Sequence, residues 1–449
     1  MAVFLPGILS MVVFYLMILI MGIWASRKSK IEEKKCSGKK SEITMIGGRN
    51  LNIWVSIFTT TATWVGGAFI LGSAEIVYMP NKGLVWATVP FGYSISLTIG
   101  GAMSVILDIP SYYTVVISAA VAILYTLLGG MYAVAYTDII QLIFMFLSLW
   151  LSVPFMLTSP ASADITFTAV NKLYQEPWLG KILSGVCYQA FYQRILAVAT
   201  DKQAHITCYI STVFCAFLAI PSLIVGAVAA STDWNQTSFG LPTPYEQDKA
   251  GMILPLSLEH LCPPYVFIAG IGAIAAAVMS SADSVMLSFA SVSARNIYHR
   301  ILRKKASEQE VTYVIKVCIL LIGCTGMGLA MTTTSVFGLT VLSGDVLYTS
   351  MFPQMVCLFF LPNHSNGYGA ATGFGVGLLL RCLMGETTLG IPPVIWLPGS
   401  RLVDGVYEQR FPFRSLIVLH RTLRLSSSTE DFCLNAGMCS NSDRQMWSP

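Results

Sequence analysis

The chain has 449 residues, of which 55% are hydrophobic and only 11% charged, and its mean hydropathy is +0.66. A soluble domain of ordinary composition carries about 25% charged residues, so a soluble globular class is excluded. The net charge of +4 is small and dispersed, which argues against a nucleic-acid partner. We predict an all-α, polytopic membrane protein with room for about ten spans of ~20 residues.

The first predicted span, Val3 to Trp24, is followed at once by a basic cluster. The cluster consists of Arg27, Lys28, Lys30, Lys34, Lys35, Lys39 and Lys40. The positive-inside rule places it in the cytoplasm and the N-terminus outside. The apolar run is longer than a signal-peptide core and has no small-residue cleavage site before its basic flank, which predicts a retained span.

The second predicted span, residues 59–78, is interrupted by polar and small residues. Threonines stand at 59, 60, 61 and 63, and Gly66-Gly67 then weakens the helix. Trp64 lies beside this break, and indole is the best side-chain face for an organic cation. Broken helices at membrane depth free carbonyls that ligate cations, but small residues also form helix-packing seams. Half of a transport site and a packing seam both fit this stretch.

A third span is predicted from Leu84 to Leu107, with Tyr93 at mid-depth, and two more over residues 113–133 and 139–157. Asp138 falls in the short link between the last two. An acid near membrane depth is a functional candidate by default. At a short loop, hydration explains it equally well, so both interpretations stay open.

The segment from residue 182 to 199 is too polar and short to predict as a span, although it contains Tyr188. Residues 206–230 form a good span. The polar stretch after it holds Asn235 in an Asn-x-Thr acceptor sequence, which predicts a glycosylated extracellular loop.

Another long span is predicted from Pro264 to Ala294. Within it, Ser280 and Ser281 follow Ala277 at i+3 and i+4, so the three share one helical face. Hydroxyl and carbonyl oxygens are hard ligands of the kind a sodium ion takes. Serine-mediated helix packing explains the same pattern, and the sequence leaves both open.

The remaining chain contributes three more predicted spans, over residues 311–331, 336–361 and 369–383, and then a basic, serine-rich tail. We predict a transmembrane domain over residues 1–413 and a cytoplasmic or disordered tail over residues 414–449. The histidines, scattered at positions 205, 260, 299, 364 and 420, suggest no enzyme. No Walker loop or metal-ligand spacing is present, so uphill transport would draw on an ion gradient.

Several separate motifs now carry a family resemblance. Residues 129–141, Gly-Gly-Met-Tyr-Ala-Val-Ala-Tyr-Thr-Asp-Ile-Ile-Gln, resemble the signature of the sodium/solute symporters. Residues 62–67, 231–237, 277–284 and 294–298 resemble the choline-carrying branch of that family. The resemblance covers most of residues 1–413. It implies a leucine-transporter-like inverted-repeat helix bundle and no enzymatic activity.

The resemblance also implies a set of site residues. The sodium site would use the carbonyls of Ala62, Val65 and Ala277 with the hydroxyls of Ser280 and Ser281. Trp64 and Tyr93 would fall on a choline cage. Tyr188 would join them, at a position where the family has a tryptophan. A quaternary ammonium donates no hydrogen bonds, so aromatic faces replace its water.

The implied function is sodium-coupled, chloride-dependent choline uptake for acetylcholine synthesis, with no organic cofactor. The implied location is the plasma membrane and synaptic vesicles of cholinergic nerve endings. The resemblance leaves a homo-oligomer open. A carrier for another small organic solute, and a non-transporting form that binds intact carrier subunits, are the alternatives.

The chain departs from the family pattern in three places. The family has an additional span between the segments that here end near Gly101 and begin near Ile109. The apolar beginning of the segment leading to Tyr188 is absent, and the sequence after Phe413 does not resemble the family. The expected bundle is therefore incomplete, and we predict that this chain transports poorly or not at all.

Overall fold

The structure is a computed structural model in which two units are distinguished. It describes residues 16–27, 45, 51–80, 111–162, 190, 193–194, 197, 199–331, 336–350, 354, 367–385, 392–395, 400–403 and 406–409. One unit comprises Met1–Leu183 and Tyr188–Thr340, and the other Ser184–Cys187 and Val341–Pro449.

The described elements of the first unit are helical. In chain order they are α1 Leu16–Arg27, α2 Ile53–Trp64, α3 Gly67–Tyr78, α4 Ser111–Leu157, α5 Asp201–Ser231, α6 Ile253–Leu261, α7 Pro264–Val292 and α8 Glu308–Ala330. Short 3₁₀ turns at Trp234–Gln236 and Ala250–Met252 precede α6, and a π-helical turn, Ser293–Leu302, follows α7. α9, Val336–Ser350, begins at the end of this unit.

Within the described residues, four helices are long and apolar enough to cross a membrane, or five with a bent pair counted as one span. The four are Val134–Leu157, Val213–Ser231, Pro264–Leu302 and Glu308–Leu329, and the pair is Ile53–Trp64 with Gly67–Tyr78. The predicted spans at 206–230, 264–294 and 311–331 are thereby confirmed. The predicted span at 84–107 and the tail at 414–449 lie outside the described residues.

The predicted interruption of the second span is confirmed. α2 ends at Trp64 and α3 begins at Gly67, and the two helices are bent by 43° at the break. Asn52 caps the start of α2, since its side chain accepts a hydrogen bond from the Trp54 N–H at 2.9 Å. The threonines do not make α2 a lipid-facing helix, because Thr59, Thr60, Thr61 and Thr63 are all buried.

The predicted span at 139–157 is confirmed, since it lies within the apolar helix Val134–Leu157, whereas the predicted link between it and the segment 113–133 is wrong. Both segments belong to α4, an uninterrupted helix of 47 residues. At 1.5 Å per residue, this helix is about 70 Å long, more than twice the thickness of a bilayer core. Asp138 accordingly lies inside the helix and is fully buried, so its interpretation as a hydrated loop acid is also wrong.

α7 is the central helix of the first unit. In the segment Pro264–Leu302, which contains α7, 83% of the most apolar stretch is buried, against 28% in Glu308–Leu329 of α8. α7 therefore packs inside the bundle and α8 lies at its periphery. α7 contacts α2, α3, α4, α6 and α8. Gly270 allows part of this packing, because a Cβ there would lie 2.7 Å from the Leu258 Cδ2 of α6.

The segment between α5 and α7 folds back onto the outer end of α3. The Tyr245 N–H donates a hydrogen bond to the Tyr78 hydroxyl at 3.2 Å. The Tyr78 ring meets the buried Trp234 edge-on, with ring centroids 6.4 Å apart. Phe239 packs against Trp234 in turn, at 5.5 Å. The loop is thus attached to the broken span by a backbone hydrogen bond and by an aromatic cluster.

The second unit contains part of α9, the helix α10, Gly367–Leu383, and two short strands, β1 Ser400–Val403 and β2 Val406–Gln409. The strands pair antiparallel with Val403 opposite Val406. The prediction of α-helical structure is confirmed for this unit's helices, and the hairpin is an addition. The sequence contains a pattern that indicates this hairpin, because Asp404-Gly405 separates two short strand-like runs.

Candidate functional site

The break between α2 and α3 releases backbone carbonyls from helical hydrogen bonding. The Gly66 N–H donates to the Trp64 carbonyl at 3.0 Å instead of to the Ala62 carbonyl four residues earlier. The Val65 N–H still bonds to Thr61 at 2.8 Å, and the bond from Ile70 to Gly66 at 3.0 Å begins the next helix. The Ala62 and Val65 carbonyls therefore lie where the helical hydrogen bonds of α2 end and those of α3 begin. Carbonyl oxygens at such a break are available to a cation.

The same break sits directly against α7. A Cβ built on Gly66 would lie 1.7 Å from the Ser281 Oγ and 3.8 Å from the Ala277 carbonyl oxygen. Only a residue without a side chain permits this approach. The two halves of the predicted sodium site, separated by more than two hundred residues in sequence, are thus adjacent.

All five predicted sodium-site residues are buried. Ala62, Val65, Ala277 and Ser280 are completely inaccessible, and Ser281 is 4% exposed. Burial removes bulk water as a competing ligand, so a cation placed here would depend on protein oxygens. The structure places the break at Gly66 against Ser281 and Ala277, and the role of all five residues as ligands stays a prediction.

Asp138 of α4 lies immediately beside this cluster. Both of its carboxylate oxygens accept hydrogen bonds, Oδ1 from the Ser280 hydroxyl and Oδ2 from the Thr59 hydroxyl. The Ser280 hydrogen is therefore directed at Asp138, which turns the lone pairs of Ser280 away from the carboxylate. Asp138 thereby fixes the orientation of a predicted sodium ligand.

Arg194 is a buried member of this polar cluster that the sequence did not single out. Its guanidinium is fully buried and its Nη2 lies 3.6 Å from Asp138 Oδ2. Nη2 also donates to the Ser284 hydroxyl at 2.6 Å, and Nε to the Thr59 hydroxyl at 3.2 Å. Arg194 belongs to the polar stretch that we did not predict as a span, and no local pattern connects it with Asp138.

Asp283 is a second buried acid, one turn from the predicted ligands. The Thr126 hydroxyl donates to its Oδ1 at 2.8 Å, which ties α7 to α4. Its Oδ2 has no hydrogen-bond partner among the described residues. The acid therefore stabilises the contact between the two helices through one oxygen only.

The predicted aromatic cage is described only in part. Trp64 is partly buried at the end of α2 and packs against the hydrophobic core. It immediately precedes the break, so an organic cation on its face would lie near the predicted sodium ligands. Tyr93 and Tyr188 lie outside the described residues.

The predicted glycosylation site lies on the surface. Asn235 is exposed in the short turn Trp234–Gln236, whose start is capped by Asp233 accepting from the Asn235 N–H at 3.2 Å. We expect Asn235→Gln to abolish the mobility shift that a glycosidase produces in protein from a eukaryotic membrane. Gln236→Ala, which leaves the Asn-x-Thr sequence at Asn235 intact and creates no other acceptor sequence, is the control. A shift that survives Asn235→Gln would contradict the prediction.

Comparison with known proteins identifies relatives over nearly the whole chain. The family model described as the sodium:solute symporter family matches residues 89–176 and 156–377. High-affinity choline transporter 1 of Torpedo marmorata is 41% identical over 492 aligned positions, which cover 93% of this chain and 84% of that protein. The human high affinity choline transporter 1 is 40% identical, with the same coverage of 93% and 84%.

The fold also matches a solved structure. A Na⁺-coupled sialic acid symporter in its substrate-bound, outward-open state superimposes with a TM-score of 0.68 at 16% identity, covering 95% of this chain and 98% of that chain. At this identity the likeness establishes the fold alone, and it confirms the predicted leucine-transporter-like bundle. Together with the family match and the relatives at about two-fifths identity, it shows that the chain belongs to the sodium:solute symporter family.

Proposed function

We propose that this chain binds choline and sodium at the break between α2 and α3 and that its activity is sodium-coupled choline symport. The observation that carries the proposal is the close approach of Gly66 to α7, where an added Cβ would lie 1.7 Å from the Ser281 Oγ and 3.8 Å from the Ala277 carbonyl oxygen. This approach brings the Ser281 hydroxyl and the Ala277 carbonyl of α7 next to the interrupted backbone of α2 and α3. Hard oxygens from two helices are what a desolvated monovalent cation requires.

Choline is proposed from the chemistry beside the break and from the relatives. Trp64 offers an indole face at the end of α2, and a quaternary ammonium is bound by aromatic faces. Both choline transporters that we compared align over 93% of this chain. Chloride dependence, supply of choline for acetylcholine synthesis, and a location in the plasma membrane and synaptic vesicles of cholinergic nerve endings belong to the same proposal.

The deciding experiment separates binding from transport. Radiolabelled choline binding to the purified chain is measured in sodium and in potassium, and uptake is measured in proteoliposomes with an inward sodium gradient. Sodium-dependent binding that unlabelled choline displaces, and that proline or glucose does not, supports the proposal. Binding that is equal in both salts, or displaced by another solute class, overturns it.

Trp64 tests the choline half of the site. We expect Trp64→Ala to weaken choline binding by about tenfold, because a desolvated cation–π contact is worth up to about 2 kcal/mol. Trp64→Phe keeps a weaker aromatic face and should fall between. Trp54, exposed near the start of α2, provides the control substitution Trp54→Ala. Equal choline affinity in Trp64→Ala and in the unmodified chain would contradict the assignment.

A second candidate function follows from the length of the alignments. An alignment of 492 positions is longer than the 449 residues of this chain, so the Torpedo relative has segments without a counterpart here. A form that keeps the site but lacks these segments would bind its ligands, transport poorly and associate with intact carrier subunits. Sodium-dependent binding without uptake, together with co-purification with a full-length relative, favours this candidate.

A further inference from the structure

The sodium site continues towards the cytoplasm as a column of serines on α7. Ser284, Ser288 and Ser291 follow Ser280 at helical spacing, and all are buried. The basic residues after α7, beginning at Arg295, place this end of the helix inside. A line of hydroxyls thus runs from the predicted ion position to the inner side of the bundle.

Gln193 closes the inner end of this column. Its Oε1 accepts from the Ser288 hydroxyl at 2.6 Å and from Arg194 Nη1 at 3.2 Å. Its Nε2 donates to the Met45 carbonyl at 2.5 Å and to the Ser291 hydroxyl at 3.3 Å. Every hydrogen-bonding direction of this amide is therefore used, and the residue is only 2% exposed.

Arg194 connects this closure to the ion site. Through Nη2 it binds Ser284 at 2.6 Å and lies 3.6 Å from Asp138, whose other oxygen orients the Ser280 hydroxyl. A change at Ser280 therefore reaches Gln193 through an unbroken set of polar contacts. The adjoining backbone is also fixed to the start of α2, because the Leu51 N–H donates to the Ala197 carbonyl at 3.1 Å.

We propose that Gln193 and Arg194 are positioning residues that keep the serine column of α7 closed on the cytoplasmic side, and that the ion leaves along this column. The inference rests on the proposed sodium site. When Gln193 releases Ser288 and Ser291, the column opens at its inner end and the link through Arg194 and Asp138 to the Ser280 hydroxyl loosens. The ion then leaves past these serines.

The test measures access to the inner end of the column in the full chain. Ala294 is fully buried and lies one turn beyond Ser291, so Ala294→Cys supplies a reporter. Its alkylation by iodoacetamide is quantified on the peptide that contains position 294, which excludes the other cysteines. Gln193→Met keeps the side-chain length and removes the hydrogen bonds. The matched control is Gln203→Met, since the Gln203 side-chain carbonyl oxygen has no partner among the described residues.

In potassium, we expect Gln193→Met to accelerate alkylation at position 294 by about tenfold, the factor that about two net hydrogen bonds represent. Gln203→Met should leave the rate unchanged. Alkylation of the buried Cys215 in the same samples reports general loosening of the fold. A rise confined to position 294 supports the proposal, whereas an unchanged rate, or an equal rise at Cys215, overturns it.

Two further measurements keep this result independent of the proposed function. Sodium-induced thermal stabilisation of each variant tests the ion site alone, so its absence in every variant would reject the ion site while the potassium data still judge the closure. If Gln193→Met does not fold, Ser291→Ala, which removes one of the hydrogen bonds, decides instead. A smaller but site-confined rise is expected from Ser291→Ala, and an unchanged rate would overturn the proposal.

Discussion

Gly66→Ala is expected to abolish sodium-induced stabilisation of the protein. The new methyl group would lie 1.7 Å from the Ser281 Oγ and 2.7 Å from its Cβ, so rotation of the serine side chain cannot relieve the overlap. The backbone at Gly66, with φ −95° and ψ −178°, is extended and open to alanine, so the effect is steric and not torsional. The helices must separate, and the oxygens around the break move apart with them.

The measurement is the melting temperature of the purified protein as a function of sodium concentration. Overpacking of this kind costs about 1–3 kcal/mol, so the variant should fold with a lowered melting temperature and no sodium response. Gly328→Ala in α8 is the control, because no atom of the described residues lies within 4 Å of a Cβ there. A sodium response that persists in Gly66→Ala would show that the ion binds elsewhere.

Asp138→Asn is expected to destabilise the protein by about 3–5 kcal/mol, the loss usually found when one member of a buried ion pair is removed. Asp138 and Arg194 are both fully inaccessible, and the substitution leaves an uncompensated guanidinium among helices. The variant is compared with the unmodified chain by denaturant titration in mixed micelles. A loss below about 1 kcal/mol, the range of exposed pairs, would contradict the burial of this pair.

The double variant Asp138→Asn with Arg194→Met separates charge from packing. It removes both charges and keeps similar volume, so it should recover most of the stability that Asp138→Asn loses. Sodium-induced stabilisation should nevertheless stay weakened, because Ser280 no longer donates to a carboxylate. Full recovery of both properties would show that Asp138 does not orient Ser280.

The break and its partner helix could be predicted from the sequence because both leave local patterns. Gly66-Gly67 after a run of threonines signals a weak helix, and Ser280 and Ser281 at i+3 and i+4 from Ala277 mark one face. Their adjacency followed from the family resemblance, since spacing within one helix says nothing about which other helix it meets.

The continuity of α4 and the partner of Asp138 could not be predicted in the same way. Gly129-Gly130 and the acid suggested a loop, yet packing against α7 keeps the chain helical throughout Ser111–Leu157. Tertiary contacts override helix propensity of this size, which is only about 1 kcal/mol per glycine. Arg194 was assigned to a polar stretch, and its own burial depends on contacts with residues distant in sequence, so no periodicity revealed it.

The attachment of Tyr78 to the loop between α5 and α7 has a mechanical consequence. α3 begins at Gly67, next to the break that holds the proposed cation ligands. It ends at Tyr78, which contacts Tyr245 and Trp234. Pivoting of this half-helix about the 43° bend would drag the outer cover along with it. If a cation binds at the break as proposed, the 12-residue helix α3 would transmit the resulting movement to the loop that contacts Tyr78.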